Sequence, residues 1–364
     1  MVAVSLKKFF FKQKTAYEIS ECDWSSDVCS SDLTALLALA SCAKEQQEPV
    51  PTPMDAGDVT VSFVAEENSA QTRAFFDASA TTESWEKSLS SISLFCFNTD
   101  GSLIVRRNFT PAEVSAKKAT FALPKSAAGK SVEFYAIANT TVGDIADKTA
   151  LLALKETSAA VYNGTFAEVS AAAKRSGGFL MSGSATKTVT AGASTDVAIT
   201  LKRDVAKIAI QSSLSADFAS KYPGKIKVNS AKISRAASQT PYFGGTIASG
   251  AMTYTHTQTP KEDAGKYNSL FYLFENGTLA AGSRVLLTLE AIYDKDGNFS
   301  TTGDQTPVTY EVELKGTSDN GTILRNGYYR VAVSLAGLTG QDVSATITVA
   351  DWETPVTQTI DLGQ

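Results

Sequence analysis

From residue 58 onward the chain alternates apolar and polar residues with a period of two. In 58–66 (DVTVSFVAE), Val59, Val61, Phe63 and Ala65 fall on one face and Thr60 and Ser62 on the other, the pattern of a half-buried strand. Further strands are predicted over 92–97 (ISLFCF), 103–105, 132–138 (VEFYAIA), 206–210, 285–293 (VLLTLEAIY), 308–314 and 328–335 (YYRVAVSL). In the last of these, Tyr329, Val331, Val333 and Leu335 share a face. Asn98-Thr99-Asp100-Gly101 separates two apolar runs, and Asp294-Lys295-Asp296-Gly297 follows another. Asp-Gly in such a place predicts a hairpin, because glycine takes the positive φ that the turn needs. Helical signals are short: an irregular apolar stripe (Ile145, Leu151, Leu152, Leu154) within 144–155, and a turn or two over 215–221. Short strands with turn signals between them predict an all-β protein built of sandwiches, with a few short helices in loops. The alternation pauses near Leu201 and resumes with Arg203-Asp204-Val205-Ala206-Lys207-Ile208. This divides the body into two tandem β-sandwich domains, 58–201 and 202–364.

The length of 364 residues is sufficient for two domains. With 43% hydrophobic and 20% charged residues the chain is globular rather than disordered. A net charge of −5 with no basic run argues against nucleic acid as a partner. The single histidine, His256, excludes a multi-histidine metal site. It lies in TYTHTQT, a stretch that reads as an exposed loop or edge without a nucleophile at a strained turn, so no enzyme is predicted. Cys22, Cys29, Cys42 and Cys96 have neither metal-ligand spacing nor the density of a disulfide framework. Cys96, inside an apolar strand, reads as a small buried hydrophobe. The segment 294–297 distantly resembles a calcium loop, but the complete ligand spacing and the closing glutamate are missing. No metal or cofactor is predicted.

The N-terminal region 1–41 reads as a signal region. Lys7 and Lys8 supply a basic start and 33–40 (LTALLALA) a short apolar stretch. Between them, Glu18, Glu21, Asp23, Asp27 and Asp32 do not suit an export signal. Residues 9–33 resemble translated sequencing-adapter DNA that has replaced the original signal. Leu39-Ala40-Ser41-Cys42 then resembles a bacterial lipobox, which predicts lipidation of the Cys42 thiol and anchoring by the buried acyl chains. Residues 43–57 hold three prolines and little apolar material, so 42–57 reads as a lipidated, proline-rich tether.

Taken in order, these segments resemble one family. The lipobox precedes DVTVSFVAE and Thr72-Arg73-Ala74-Phe75. Then come ISLFCFNTDG, a strand ending in Ala138-Asn139, and Phe179-Leu180-Met181-Ser182-Gly183. Leu201-Lys202-Arg203-Asp204, Leu324-Arg325-Asn326-Gly327-Tyr328-Tyr329 and Ala350-Asp351-Trp352 complete the set. The order resembles the fimbrillin family, the major subunits of type V pili of Gram-negative bacteria, over residues 39–364. The resemblance implies two transthyretin-like domains and export as an outer-membrane lipoprotein carrying palmitate. It also implies processing by an arginine-specific surface protease, polymerisation by strand exchange with copies of itself and other pilus subunits, and a role in adhesion.

The matching processing position is Arg73-Ala74, in a polar loop. Residues 42–73 hold two basic and six acidic residues and 74–364 hold 27 of each, so processing would leave a neutral body suited to self-association. The displaced strand would carry Val59, Val61, Phe63 and Ala65. Val343, Ala345, Ile347 and Val349 repeat that period near the C-terminus and are the donor candidate, ahead of 356–362, which turns Gln358 inward. Two alternatives stand beside this reading. One is a surface lipoprotein binding glycan or a host ligand through Trp85, Tyr242, Phe243, Tyr254 or Trp352. The other is a pilus anchor or tip subunit, an anchor being expected to keep its first strand.

Overall fold

A computed structural model of the chain describes residues 58–64, 76 and 83–362, apart from 246, 248, 317, 339–342 and 352–358. Strand Asp58–Val64 lies in the middle of a three-stranded sheet, between Lys118–Ala122 and Thr195–Thr200. A five-stranded sheet runs Leu103–Asn108, Ile92–Asn98, Ser131–Ala138, Met181–Thr188, Lys202–Arg203. These two sheets close on one apolar cluster, which includes Leu94, Cys96, Phe134, Val197 and Ile199. Cys96 is fully buried, and burial pushes its thiol well above the usual range.

The chain passes from Lys202–Arg203 straight into Val205–Leu214. That strand belongs to a six-stranded sheet ordered Lys261–Asp263, Lys266–Phe274, Val205–Leu214, Gly327–Leu335, Val343–Asp351, Thr359–Leu362. A four-stranded sheet, Tyr254–Gln258, Lys225–Ala236, Leu286–Asp294, Gln305–Glu313, encloses a second cluster with it. The period-two reading explains both layers. Tyr329, Val331, Val333 and Leu335 all point into the second cluster, while Tyr328 turns to the first. Burying each such aliphatic side chain stabilises the fold by about 1.5–3 kcal/mol.

The predicted turns form as expected. Gly101 has φ +88° and its N–H donates to the Asn98 carbonyl at 2.9 Å. The 144–155 helix shrinks to Lys148–Leu152. Its start is set by Asp147, whose Oδ1 accepts from the Ala150 N–H at 2.8 Å. Just upstream, the Val142 and Gly143 carbonyls are taken by the Arg106 guanidinium, which keeps them out of a helix. Val142 and Leu151 instead cover Phe95 and Phe97 on the outer face of the five-stranded sheet. The 215–221 signal becomes the single turn Phe218–Lys221. Among the described residues no helix is long and apolar enough to cross a membrane.

Candidate strand-exchange groove

The position of the first strand decides what its loss would do. Along one edge, Asp58 to Ser62 pair antiparallel with Ala122 to Lys118. Along the other, Val59 to Val64 pair in parallel with Thr195 to Thr200. The register puts Val59, Val61 and Phe63 beside Thr195, Val197 and Ile199, which are the buried positions of their strand. In register Val61 also pairs with Ala119, which is 2% exposed. The residues read from the sequence as one face thus fall, in register, at the buried positions of the neighbouring strand. Gly183 lets this layer sit close: a Cβ there would lie 2.1 Å from the Thr200 carbonyl oxygen. Without 58–64, the edges of Lys118–Ala122 and Thr195–Thr200 that pair with it would be left unpaired. Unpaired edges of this kind accept a strand from another chain.

Ala65, Cys42, Arg73 and Ala74 lie outside the described residues. The donor candidate lies inside its own sheet. Val343–Asp351 pairs antiparallel with Gly327–Leu335, in the register Val343 to Leu335, Ala345 to Val333, Ile347 to Val331 and Val349 to Tyr329. Ala345 and Ile347 are buried in the second cluster. The strand is not the last of the sheet, because Thr359–Leu362 pairs beyond it with residues 345–348.

Phe76 and the described chain from residue 83 onward are held by charged groups, of which the sequence motifs mark Arg203 and Lys207 but not Glu86. The ring of Phe76 lies 5.9 Å from the Arg330 guanidinium carbon. The 3-10 turn Ser84–Lys87 then buries Glu86 completely. Lys207 Nζ donates to Glu86 Oε1 at 2.6 Å, and the Tyr272 hydroxyl donates to the same oxygen at 3.3 Å. Arg203 Nε donates to the Glu86 carbonyl at 2.9 Å. Arg203 Nη1 also donates to Asn326 Oδ1 at 2.8 Å. Asn139, in the left-handed region at φ +64°, closes the segment: its Oδ1 accepts from the Ser90 N–H, and its Nδ2 donates to the Ser88 and Phe179 carbonyls. Residues 83–90 thus form a strap bound to both the five- and the six-stranded sheet, fastened by Asn139 and Arg203, with Asn326 holding Arg203.

Arg106 and Arg107 are held differently. Arg106 binds the Val142 and Gly143 carbonyls, and Arg107 Nη2 lies 2.5 Å from Glu113 Oε1. Both sit in the paired strand Leu103–Asn108, a form that resists a protease.

The aromatic candidates are mostly packing residues. Trp85 stacks on Phe179 at 5.9 Å, and Phe243 meets Tyr135 edge-on at 5.0 Å. Tyr242 joins the same outer cluster as Phe243, Tyr254 is half-buried, and Trp352 lies outside the described residues. His256 is on the edge strand Tyr254–Gln258, with Nε2 3.1 Å from the Gly164 carbonyl oxygen. The loop after Leu286–Asp294 brings Asp304 to Asp294 and Asp296, with one carboxylate oxygen of each within 4.8 Å of the others. Backbone amides and Gln305 already donate to them. Asp304 was not visible in the sequence spacing because the loop folds back on itself.

The geometry agrees with the comparisons. A family profile described as fimbrillin-A associated anchor proteins Mfa1 and Mfa2 matches residues 47–357. No curated protein matches the chain. Among solved structures, a Bacteroides eggerthii protein assigned to cell adhesion aligns with TM-score 0.56 at 16% identity, covering 85% of this chain and 100% of that one. The fimbrilin of Porphyromonas gingivalis aligns with TM-score 0.54 at 14% identity, covering 84% and 99%. The tip fimbrial protein Mfa3 of the same organism aligns with TM-score 0.52 at 12% identity, covering 81% and 100%. At these identities the structures speak to the fold, which they share with this all-β chain, and the profile speaks to ancestry: the chain belongs to the Mfa2 family of fimbrillin-associated proteins.

Proposed function

We propose that this pilus subunit is exported as a lipoprotein on Cys42, cut between Arg73 and Ala74, and assembled by strand exchange, with 58–201 and 202–364 as the family's two transthyretin-like domains. The observation that carries the reading is the central place of Asp58–Val64 between two partners. One cut in the chain after it frees a strand whose departure opens both neighbouring edges. A strand from the next subunit, offering Val343, Ala345, Ile347 and Val349, restores two ladders and refills the slot. Contacts of this head-to-tail kind do not close on themselves and build a filament. The role is structural, at the cell surface, with other pilus subunits as partners and an arginine-specific protease as the trigger. The lipid on Cys42 holds the precursor to the outer membrane until the cut.

A second reading follows from the profile's own description: an anchor that keeps Asp58–Val64 in place and offers no slot. Treating the purified precursor with an arginine-specific protease separates the two. The exchange reading predicts a body beginning at Ala74, an intact Arg73→Ala variant, and filaments by electron microscopy. Preferred cutting at Arg106 or Arg107, or a trimmed body that stays monomeric with 58–64 still bound, supports the anchor. Fatty-acid labelling that is equal in the parent and in Cys42→Ala would remove the lipoprotein step.

A further inference from the structure

Beside the strap a cleft of about 270 Å³ opens, lined by no residue of the three-stranded sheet that holds Asp58–Val64. Its first wall is the strap itself, through Glu83 and Trp85. Its second is the short edge strand Lys261–Asp263, whose side chains are all exposed, with Asn268 of the neighbouring strand. Phe166 and Leu270 supply apolar floor.

The lining selects a kind of ligand. Trp85 is half-buried and backed by Phe179, so its ring is a fixed platform. Asn268 is 7% exposed, and its Oδ1 accepts from Gln211 Nε2 at 3.0 Å, which leaves the amide nitrogen to donate. Glu83 and Asp263 accept, and Lys261 donates. Lys207 also lines the cleft, but its ammonium is neutralised by Glu86. Two carboxylates against one open ammonium disfavour an anion. The edge strand is three residues long and charged, too short to add an extended peptide. Donors and acceptors around an aromatic platform suit hydroxyl groups, each of which both donates and accepts. The volume suits a small ring compound rather than a long chain. We propose that this cleft binds a neutral saccharide of one or two rings.

Saturation-transfer NMR on the full-length precursor tests this, using millimolar methyl glucoside, methyl galactoside, methyl mannoside, N-acetylglucosamine and lactose as probes. At least one should give a saturable signal. Asp263→Ala and Lys261→Ala should each weaken it about tenfold, the loss of one good hydrogen bond, with an unchanged melting temperature. Trp85→Ala should abolish it, and Lys227→Ala, on the four-stranded sheet, should leave it intact. The proposal is overturned by no signal from any of the five sugars, by signals that survive both rim variants, or by displacement of the sugar with inorganic phosphate.

Discussion

Strand Asp58–Val64 has a paired neighbour along each edge, yet it is the first strand described, and residues 65–82 lead from it to the 3-10 turn Ser84–Lys87. Val343–Asp351 carries the same apolar period, lies one strand from the margin of its sheet, and is buried at Ala345 and Ile347. A central strand is ordinarily the hardest to remove. On the proposed reading chain connectivity reverses that: a cut after Arg73 would free the central strand, whereas Val343–Asp351 is paired with Gly327–Leu335 and Thr359–Leu362. The strap sharpens the contrast. It fastens the chain downstream of Arg73, so the proposed cut would separate a side free to leave from a side held by the strap. On the proposed reading, the closing strand would exchange two ladders at home for two in the next subunit, so the exchange would rest on filling the vacated slot.

The largest effects come from charges placed at the matched inward positions. Val61→Asp introduces a carboxylate at the position paired in register with Ala119 and Val197 and should cost the precursor roughly 4 kcal/mol or more in urea unfolding. The same substitution should have no effect on the trimmed body, from which the strand has gone. Ile347→Asp, at a buried core position, should cost about as much before and after trimming. A trimmed body still destabilised by Val61→Asp would mean that the first strand stays. Next in size, Glu86→Gln leaves Lys207 without its buried counter-charge and should cost about 3 kcal/mol, in precursor and trimmed protein alike. Loss of this stability in the precursor alone would show that the strap leaves with the strand.

Deleting 354–364 removes the margin strand Thr359–Leu362 and should cost on the order of 1–2 kcal/mol, read from the urea midpoint, while weakening filaments less than Ile347→Asp does. The smallest effect is a slope with pH. Asp204 is buried at the junction of the two sheet pairs, where the Tyr162 hydroxyl donates to both its oxygens at 2.9 and 3.1 Å. Burial pushes its carboxyl up to about 7, against the pull of Tyr162, Arg325 and Arg175 and with help from Glu156. The folded carboxyl therefore holds its proton at pH values where the unfolded one has lost it. Stability should fall as pH rises from about 4 to about 7. Asp204→Asn should flatten that part of the pH–stability curve.

The strands were legible because they alternate. Asp58–Val64, Ile92–Asn98 and Gly327–Leu335 read correctly within a residue or two, and Gly101 named its turn. What stayed hidden depends on residues distant in sequence. Nothing in DVTVSFVAE says that it pairs in parallel with Thr195–Thr200. Glu86 carries no sequence signal, and Arg203 and Lys207 were legible only as motif positions, because their contacts with it are distant in sequence. The donor candidate was legible as a strand, but its alternation also fits the core of its own sheet, and period alone cannot tell the two uses apart. The apolar stripe in 144–155 suggested a longer helix than the Asp147 cap and the Arg106 contacts allow.

Disulfide trapping in assembled filaments tests strand exchange most directly. Ala119→Cys marks the groove wall opposite Val61, and Ala345→Cys or Ile347→Cys marks the donor; Cys96, fully buried, does not compete. The account predicts reducible ladders of linked subunits when both cysteines are present, only after cutting at Arg73, and none in the uncut precursor. Filaments that form without any 119–345 or 119–347 link, or that link 119 only to a cysteine placed at Ile360, would contradict it.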